Sequence, residues 1–523
     1  MQLRDYQIEL EDMARNAVIS GHRHVICYLP TGGGKTAVFG HITKCANDLG
    51  KKVLICTDRT ELIGQSSDTI EKCGIKPYLI QAGADSVNDN YLCYVAMSQT
   101  LKRDRVGKKE YWDNFIKSVD LIIIDECHKQ EFNYLFTSGL LKDKDVLGFT
   151  ATPERRGKMR QLGLDYSQIV KVKTVKGLIV DGYLNNAEHY QCSAPNTDGV
   201  AINRLTGDFD SRQLFSRFDN RKMYSGVISN YKSICDNTRF ICFCVNSLHA
   251  IKTAVDFSEA GYNVKFLLSG KKEPKLPLNP TDGQLAIYND KLIAYEMYKQ
   301  YYPILSGDRE QIIKDFKIGK ITGIINVDIC TTGFDAPATE TIILNFKTLS
   351  KNRYLQAVGR GARIADGKTH FNILDFGDNQ KVHGYYDDNH NWSLWHDEGT
   401  QGGGVPPLKE CEGCMRIILA SYKICPFCGF KKKEQQLKEI ELKLAVRLGL
   451  QEKYASDVKP VVRIKDMTYE QLLEHKEGKG YKQPWLWKML WIRGGERELL
   501  TFAGRYGWKT TTIETAKNYC KTL

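Results

Sequence analysis

The chain has 523 residues, 42% of them hydrophobic, and a formal net charge of +12. At roughly 100–200 residues per domain, this length suggests about three or four domains, and the apolar fraction excludes wholesale disorder. No uninterrupted apolar run approaches the roughly 18–20 residues that span a bilayer, and Met1-Gln2-Leu3-Arg4-Asp5-Tyr6 lacks the apolar centre of a signal peptide, so a soluble protein with no membrane partner is expected. The basic excess suits a polyanionic partner but is spread too thinly to identify one. In chain order, apolar runs at 24–29, 53–57, 91–97, 121–124 and 146–150 alternate with polar helical stretches. That alternation predicts a parallel sheet covered by helices over residues 1–185. A second series, at 238–245, 264–268, 323–327, 340–346 and 371–376, repeats the pattern over 186–400. It is interrupted at 271–303 by an insertion that begins Lys271-Lys272-Glu273-Pro274-Lys275-Leu276-Pro277 and continues into a helix expected over 288–301. Gly402-Gly403-Gly404-Val405-Pro406-Pro407 marks a linker. A four-cysteine module is expected within 401–430 and a helical tail over 431–523. The tail opens on a charged amphipathic helix at 431–450 and carries Tyr481, Trp485, Trp487, Trp491 and Trp508 further on. The fold class is therefore α/β: two tandem parallel-sheet lobes, a small cysteine ribbon and a helical tail.

Between the first strand and the first following helix stands Pro30-Thr31-Gly32-Gly33-Gly34-Lys35-Thr36. A glycine turn at a helix start aims backbone N–H groups at phosphate oxygens, and the helix dipole adds positive potential. In such a turn Lys35 reaches the β- and γ-phosphates and Thr36 places its hydroxyl on Mg²⁺. Downstream, Leu121-Ile122-Ile123-Ile124 runs directly into Asp125-Glu126-Cys127-His128. An acidic pair at a strand end can hold the same ion through water (Asp125) and orient and deprotonate an attacking water (Glu126). Phosphoryl transfer needs such positioning and charge neutralisation more than covalent chemistry. The turn departs from the G-x-x-x-x-G-K-[ST] pattern in one place: Leu29 stands where the first glycine is expected.

Sixteen cysteines would suit a secreted disulfide scaffold, but most are scattered, several in apolar strands (Cys27, Cys56, Cys242, Cys244), where a thiol acts as a small hydrophobe. Purposeful spacing is confined to Cys411-x₂-Cys414-x₁₀-Cys425-x₂-Cys428. Four thiolates at this spacing suit a closed tetrahedral Zn²⁺ site of structural type. Lys423 and Lys431-Lys432-Lys433 flank it, either as a nucleic-acid contact or as a solvated face.

Read in order, these segments resemble the superfamily 2 helicases of the DECH type, most closely RadD-like members with a C-terminal zinc ribbon. Leu3-Arg4-Asp5-Tyr6-Gln7 resembles the adenine-reading motif, residues 30–36 motif I, 56–62 motif Ia, 96–100 motif Ib, Asp125-Glu126-Cys127-His128 motif II and Phe149-Thr150-Ala151-Thr152-Pro153 motif III. In the second half, 241–250 resembles motif IV, 327–337 motif V and Gln356-Ala357-Val358-Gly359-Arg360-Gly361-Ala362-Arg363 motif VI. The resemblance covers residues 1–430. It implies two RecA-like lobes with ATP and Mg²⁺ between them. Arg4 and Gln7 would read adenine, with Thr31, Gly32, Gly33, Gly34, Lys35 and Thr36 around the phosphates. Gly333 and Asp335 would meet the nucleotide from the second lobe. Gln356, Arg360 and Arg363 would complete the catalytic set, the arginines as fingers on the γ-phosphate. His128, Thr150 and Thr152 would couple the nucleotide to a strand held by Arg59, Gln99, Thr100, Asn246, Thr331 and Thr332.

The resemblance further implies an ATP-dependent helicase or translocase acting on single-stranded or branched DNA in repair, recombination or replication. Its setting would be the cytoplasm of a bacterial or phage-infected cell, with recombination or single-strand-binding proteins as companions. An RNA remodeller, or an ATP-gated clamp or annealing factor, remains open from the residues. The motor subunit of a restriction system is less favoured because the sequence shows no attached nuclease constellation.

Overall fold

The computed structural model describes residues 2–58, 69–81, 83–102, 108–155, 159–270, 272–277, 280–331, 334–395, parts of 408–430, 467–478 and 482–521. Two compact units are present, Met1–Phe430 and Lys431–Leu523.

In the first unit two parallel sheets follow one another. The first contains β1 (His24–Tyr28), β2 (Val53–Thr57), β3 (Tyr78–Ile80), β4 (Cys93–Met97), β5 (Leu121–Asp125), β6 (Asp145–Thr150) and β7 (Gln168–Lys171), in the order β3-β4-β2-β5-β6-β1-β7. The second contains β8 (Asn186–Gln191), β9 (Phe240–Cys244), β10 (Val264–Leu267), β11 (Gly323–Asn326), β12 (Thr341–Asn345) and β13 (His370–Asp375), in the order β10-β11-β9-β12-β13-β8. Parallel strands covered by helices on both faces are buried throughout, which is why Val53–Thr57 and Phe240–Cys244 are continuous apolar runs. The two sheets are the tandem parallel-sheet lobes that the alternation predicts, consistent with the RecA-like lobes that the resemblance implies.

The ten expected strands are present with ends shifted by at most two residues. Three further strands, β3, β7 and β8, lie at sheet edges. An edge strand is covered less completely and carries polar residues, as in Asn186-Ala187-Glu188-His189-Tyr190-Gln191, so it lacks the apolar run that marks a central strand. The insertion helix extends from Asp282 to Leu305, longer than expected at both ends. Thr281 and Gln284 close a reciprocal capping box at its start, with Thr281 N donating to Gln284 Oε1 at 3.0 Å and Gln284 N to Thr281 Oγ1 at 3.3 Å.

Near the end of this unit Leu408–Glu410 and Ile417–Leu419 pair antiparallel beside the cysteines. The second unit, by itself, comprises helices Tyr469–Gly478, Gln483–Arg505 and Thr510–Lys521, the middle one kinked at Gly494 and Gly495. Its aromatic residues form a small core. Trp485, Trp487, Trp491 and Trp508 pack around Leu472, Leu486, Leu490, Leu499 and Phe502. The expected helix at 431–450 and Tyr481 lie outside the described residues. Among the described residues no helix is long and apolar enough to cross a membrane.

Candidate functional site

Strands β5, β6 and β1 are neighbours, so their C-terminal ends, which carry the acidic pair, Thr150 and the glycine turn, converge at one edge of the first sheet. Ligands of open α/β sheets bind at such an edge. β1 leads through Leu29 and Pro30 into the turn, and the helix α2 (Lys35–Asp48) begins at Lys35 with no side chain capping it. Gly32 and Gly34 have φ of +86° and +84°, left-handed values that suit glycine. A side chain there would also displace a neighbour. A Cβ on Gly34 would lie 2.5 Å from Gln7 Nε2, and one on Gly32 2.9 Å from Leu184 Cδ2.

The helix α1 (Asp5–Ile19) supports the turn from behind. Gly33 O accepts from Tyr6 OH at 2.9 Å and from Gln7 Nε2 at 3.0 Å. Gln7 Oε1 accepts from Arg4 N at 3.0 Å, and the Arg4 guanidinium lies 4.5 Å above the Tyr183 ring. In this geometry Gln7 ties Arg4 to the phosphate turn with both ends of its amide.

Across from the turn, Lys35 Nζ lies 3.5 Å from Glu126 Oε1. Both acidic side chains are buried, Asp125 at 5% exposure and Glu126 at 6%. Burial and the Glu126 charge push the Asp125 carboxyl up. Burial acts on Glu126 in the same sense, but the cations of Lys35, Lys129 and Arg360, together with His128, outweigh it and hold that carboxyl down. A divalent cation is the natural counter-charge for such a pair. The site therefore fits a magnesium triphosphate on two grounds: a turn of left-handed glycines at a helix start, and a buried double carboxylate beside a lysine.

Glu126 leads into a hydrogen-bonded chain. Thr150 Oγ1 donates to Glu126 Oε2 at 3.4 Å, lies 2.8 Å from His128 Nδ1, and accepts from Thr152 N at 3.0 Å. His128 is held neutral, its imidazole pushed down to about 4 by burial. The Thr152 hydroxyl is buried with no hydrogen-bond partner among the described residues.

The second sheet contributes the opposite wall. Helix Lys351–Val358 ends at Gly359, and a Cβ there would lie 2.7 Å from Thr31 Cβ, so the arginine segment rests directly on the phosphate turn. Asn185 holds that segment, its N donating to Ala362 O at 2.7 Å and its Nδ2 to Arg363 O at 2.9 Å. Arg360 is 6% exposed and donates to Thr331 O from Nε at 3.0 Å and to Phe334 O from Nη1 at 2.8 Å. Burial and the neighbouring Arg363 charge lower it to about 9, which leaves it cationic at neutral pH. Arg363 pairs with Asp335 and donates to Phe334 O at 3.2 Å. Gln356 is buried, and its Nε2 has no partner among the described residues.

Gln99 is exposed, whereas Thr100 is buried. Asn246 Oδ1 accepts from His249 N at 2.9 Å and so caps the helix Ser247–Glu259. Thr331 is buried, its hydroxyl donating to Asp328 O at 2.6 Å. Arg59, Thr332, Gly333 and Cys414 lie outside the described residues. Two residues that no sequence motif marks also border the site: Asn352, whose Nδ2 donates across the lobes to Glu154 O at 2.9 Å, and Arg155, which holds the turn after Glu126. Only the position of Arg155, directly after Thr-Ala-Thr-Pro-Glu, could have singled it out. A cavity of about 400 Å³ between the lobes is lined by Asp58, His128, Lys129, Arg155, Lys351 and Asn352, among others.

The sulfurs of Cys411, Cys425 and Cys428 lie within 4.8 Å of one another. Burial raises the Cys425 thiol, but backbone N–H groups of Cys428 and Phe427 and the two neighbouring thiols bring it down to about 7. Soft thiolates gathered this way suit a zinc ion.

Two family profiles match the chain: "Type III restriction enzyme, res subunit" over residues 1–155 and "Helicase conserved C-terminal domain" over 286–365. A 51.5 kDa protein of a Lactococcus phage is 26% identical over 447 residues, which is 82% of this chain and 85% of the phage protein. A candidate ATP-dependent helicase of Saccharomyces cerevisiae, IRC3, is 27% identical over 393 residues, or 72% of this chain. The chain spans only 51% of that yeast protein. Among solved structures, a fragment of a candidate HsdR subunit of a type I restriction enzyme from Vibrio vulnificus superposes with a TM-score of 0.51 at 19% identity. The superposition covers 73% of this chain and 66% of that one. The lobe with the phosphate turn matches the restriction-enzyme profile and the lobe with the arginines matches the helicase profile, and these matches, with an ATP-dependent helicase among the relatives, support an ATP-hydrolysing enzyme of the superfamily 2 helicase kind.

Proposed function

We propose that the chain is an ATP-driven helicase or translocase on DNA, with the triphosphate held between its two lobes. The observation that supports this reading is the close approach of Gly359 to Thr31, beside which a Cβ on Gly32 would lie 3.6 Å from Arg363 Cγ. In this reading the backbone of residues 31–34 and Lys35 hold the β- and γ-phosphates. Thr36 and Asp125 hold Mg²⁺, which would neutralise charge on the transferring phosphoryl group. Glu126 orients the attacking water and takes its proton. Arg360 and Arg363 turn from the carbonyls of Thr331 and Phe334 toward the γ-phosphate, and Arg4 and Gln7 flank the base. His128, Thr150 and Thr152 link this chemistry to the inter-lobe cleft, and Gln356 supplies an amide from the far wall. Asp335 and Gly333 line the nucleotide from the second lobe.

DNA is favoured as the polymer because the matched profile and the superposed structure are those of restriction enzymes, which act on DNA. Gln99, Thr100, Asn246, Thr331, Thr332 and Arg59 are proposed along the strand, contacts that would be independent of sequence and sensitive to salt. Cys411, Cys425 and Cys428, with Cys414, would hold a structural zinc. A role in repair, recombination or replication belongs to this same proposal.

The test is ATP hydrolysis measured against single-stranded DNA, forked DNA, duplex DNA and RNA. Stimulation by DNA and not by RNA supports the reading, and preferential stimulation by RNA overturns its choice of polymer. The restriction-type profile also favours a second reading, translocation along duplex DNA without strand separation. Displacement of a triplex-forming strand from an intact duplex would distinguish it from unwinding.

A further inference from the structure

Arg155 lies directly after the segment Thr150-Ala151-Thr152-Pro153-Glu154 and is 5% exposed. All five of its N–H donors have acceptors. Nε donates to His128 O at 2.7 Å, and Nη2 to Cys127 O at 3.1 Å and Lys129 O at 3.2 Å. Nη1 donates to Arg160 O at 3.1 Å and to Asp165 Oδ2 at 3.0 Å. Asp165 is itself buried and is held from its other oxygen by Arg160 Nε at 2.7 Å. One planar guanidinium thus gathers the three consecutive carbonyls that follow Glu126.

Those carbonyls belong to a turn whose first residue is strained. Glu126 has a φ of +51°, a left-handed conformation that a non-glycine residue keeps only where its surroundings over-determine it. On the amide side the turn is fixed by Cys127 N donating to Phe149 O at 3.1 Å and Lys129 N to Glu126 O at 3.0 Å. Arg155 fixes the carbonyl side. The residue before it, Glu154, accepts from Asn352 of the second lobe, so the clamp also borders the inter-lobe contact.

We infer that Arg155 is a positioning residue for ATP hydrolysis. It holds the left-handed turn that aims the Glu126 carboxylate and does not itself touch nucleotide. The inference rests on the proposal that Glu126 is the base. A buried arginine paired with an aspartate could instead serve stability alone, and the two roles differ in what a substitution changes.

The experiment compares Arg155→Lys, Arg155→Ala and Glu126→Gln in the full chain, reading ATP turnover with a single-stranded oligonucleotide and the affinity of a fluorescent ATP analogue. Lysine keeps a cation beside Asp165 but cannot fork across three carbonyls. Arg155→Lys should keep wild-type nucleotide affinity and KM while kcat falls about 10- to 100-fold, as expected for a base misplaced by a fraction of an ångström. Millimolar guanidinium should restore part of the turnover of Arg155→Ala. If that variant fails to fold, Arg155→Lys decides. Wild-type kcat in Arg155→Lys overturns the inference, as does a loss of turnover matched by an equal loss of nucleotide affinity. A fully active Glu126→Gln would overturn the assignment of the base instead, whereas an inactive Glu126→Gln beside a fully active Arg155→Lys would overturn Arg155 alone.

Discussion

The two lobes share an architecture but prepare their charges differently. In the first, the groups proposed for catalysis are held at strand ends: Lys35 faces Glu126, and Glu126, Thr150 and His128 are joined in one buried chain. In the second, the arginines sit on their own lobe's backbone, Arg360 on the carbonyls of Thr331 and Phe334 and Arg363 on Phe334 and Asp335. In the proposed mechanism one wall is organised in advance, and the other must exchange partners to act. A motor needs this asymmetry. If both walls were fixed, the nucleotide would bind without moving anything, and domain closure that completes a site is the general means of coupling chemistry to motion.

The strongest way to break the comparison is in the first lobe. Lys35→Ala should abolish turnover and weaken ATP binding together. Glu126→Gln should lower kcat by about 10²- to 10⁴-fold, the usual share of a general base, while ATP still binds. Steady-state hydrolysis and nucleotide titration check both, and a Glu126→Gln protein with wild-type kcat would remove the base from the account.

Thr150→Val sharpens the comparison on a smaller scale. It removes the hydroxyl that joins His128 to Glu126, and one buried hydrogen bond of about 1–1.5 kcal/mol corresponds to a loss of roughly tenfold. The loss should be in DNA-stimulated hydrolysis, with ATP affinity unchanged.

Acid should act unequally on the lobes. His128 in the first, and His189 and His249 in the second, are buried and titrate near 4, 3 and 3. Their folded values lie below the ordinary value near 6.5, so the unfolded chain binds more protons as pH falls, and stability present at neutral pH is lost from about 6.5 downward. Between pH 7 and 5 each costs roughly 2 kcal/mol. The second lobe, which also holds His390 lowered to about 4 by burial, should lose amide protection before the first, as hydrogen exchange at the two pH values would show. The smallest effect is expected from Cys428→Ser, which should release bound zinc while ATP turnover persists.

The central strands and the glycine turn were legible in the sequence because their physics is local. A buried parallel strand reads as an apolar run, and a turn with positive φ reads as glycine. The edge strand Asn186–Gln191 was not legible, since half-covered polar residues carry no such signature. The site divided along the same line. Lys35, Asp125 and Glu126 are marked by their neighbours in the chain, but the grip of Arg155 on residues 127–129 and the bond from Asn352 to Glu154 arise only when segments far apart in sequence meet. Trp485 and Trp487 could have been a base-stacking face or a core from their spacing alone, and they pack, partly buried, against the cluster that includes Leu486 and Leu490.

The account turns on whether the second lobe's cations reach the triphosphate. The direct measurement is single-turnover ATP hydrolysis by Arg363→Ala, with the amount of bound ATP determined in the same samples. The account predicts ATP bound as in the wild type and hydrolysed about 10³-fold or more slowly, the loss expected for an arginine finger. Hydrolysis of bound ATP at the wild-type rate would contradict it.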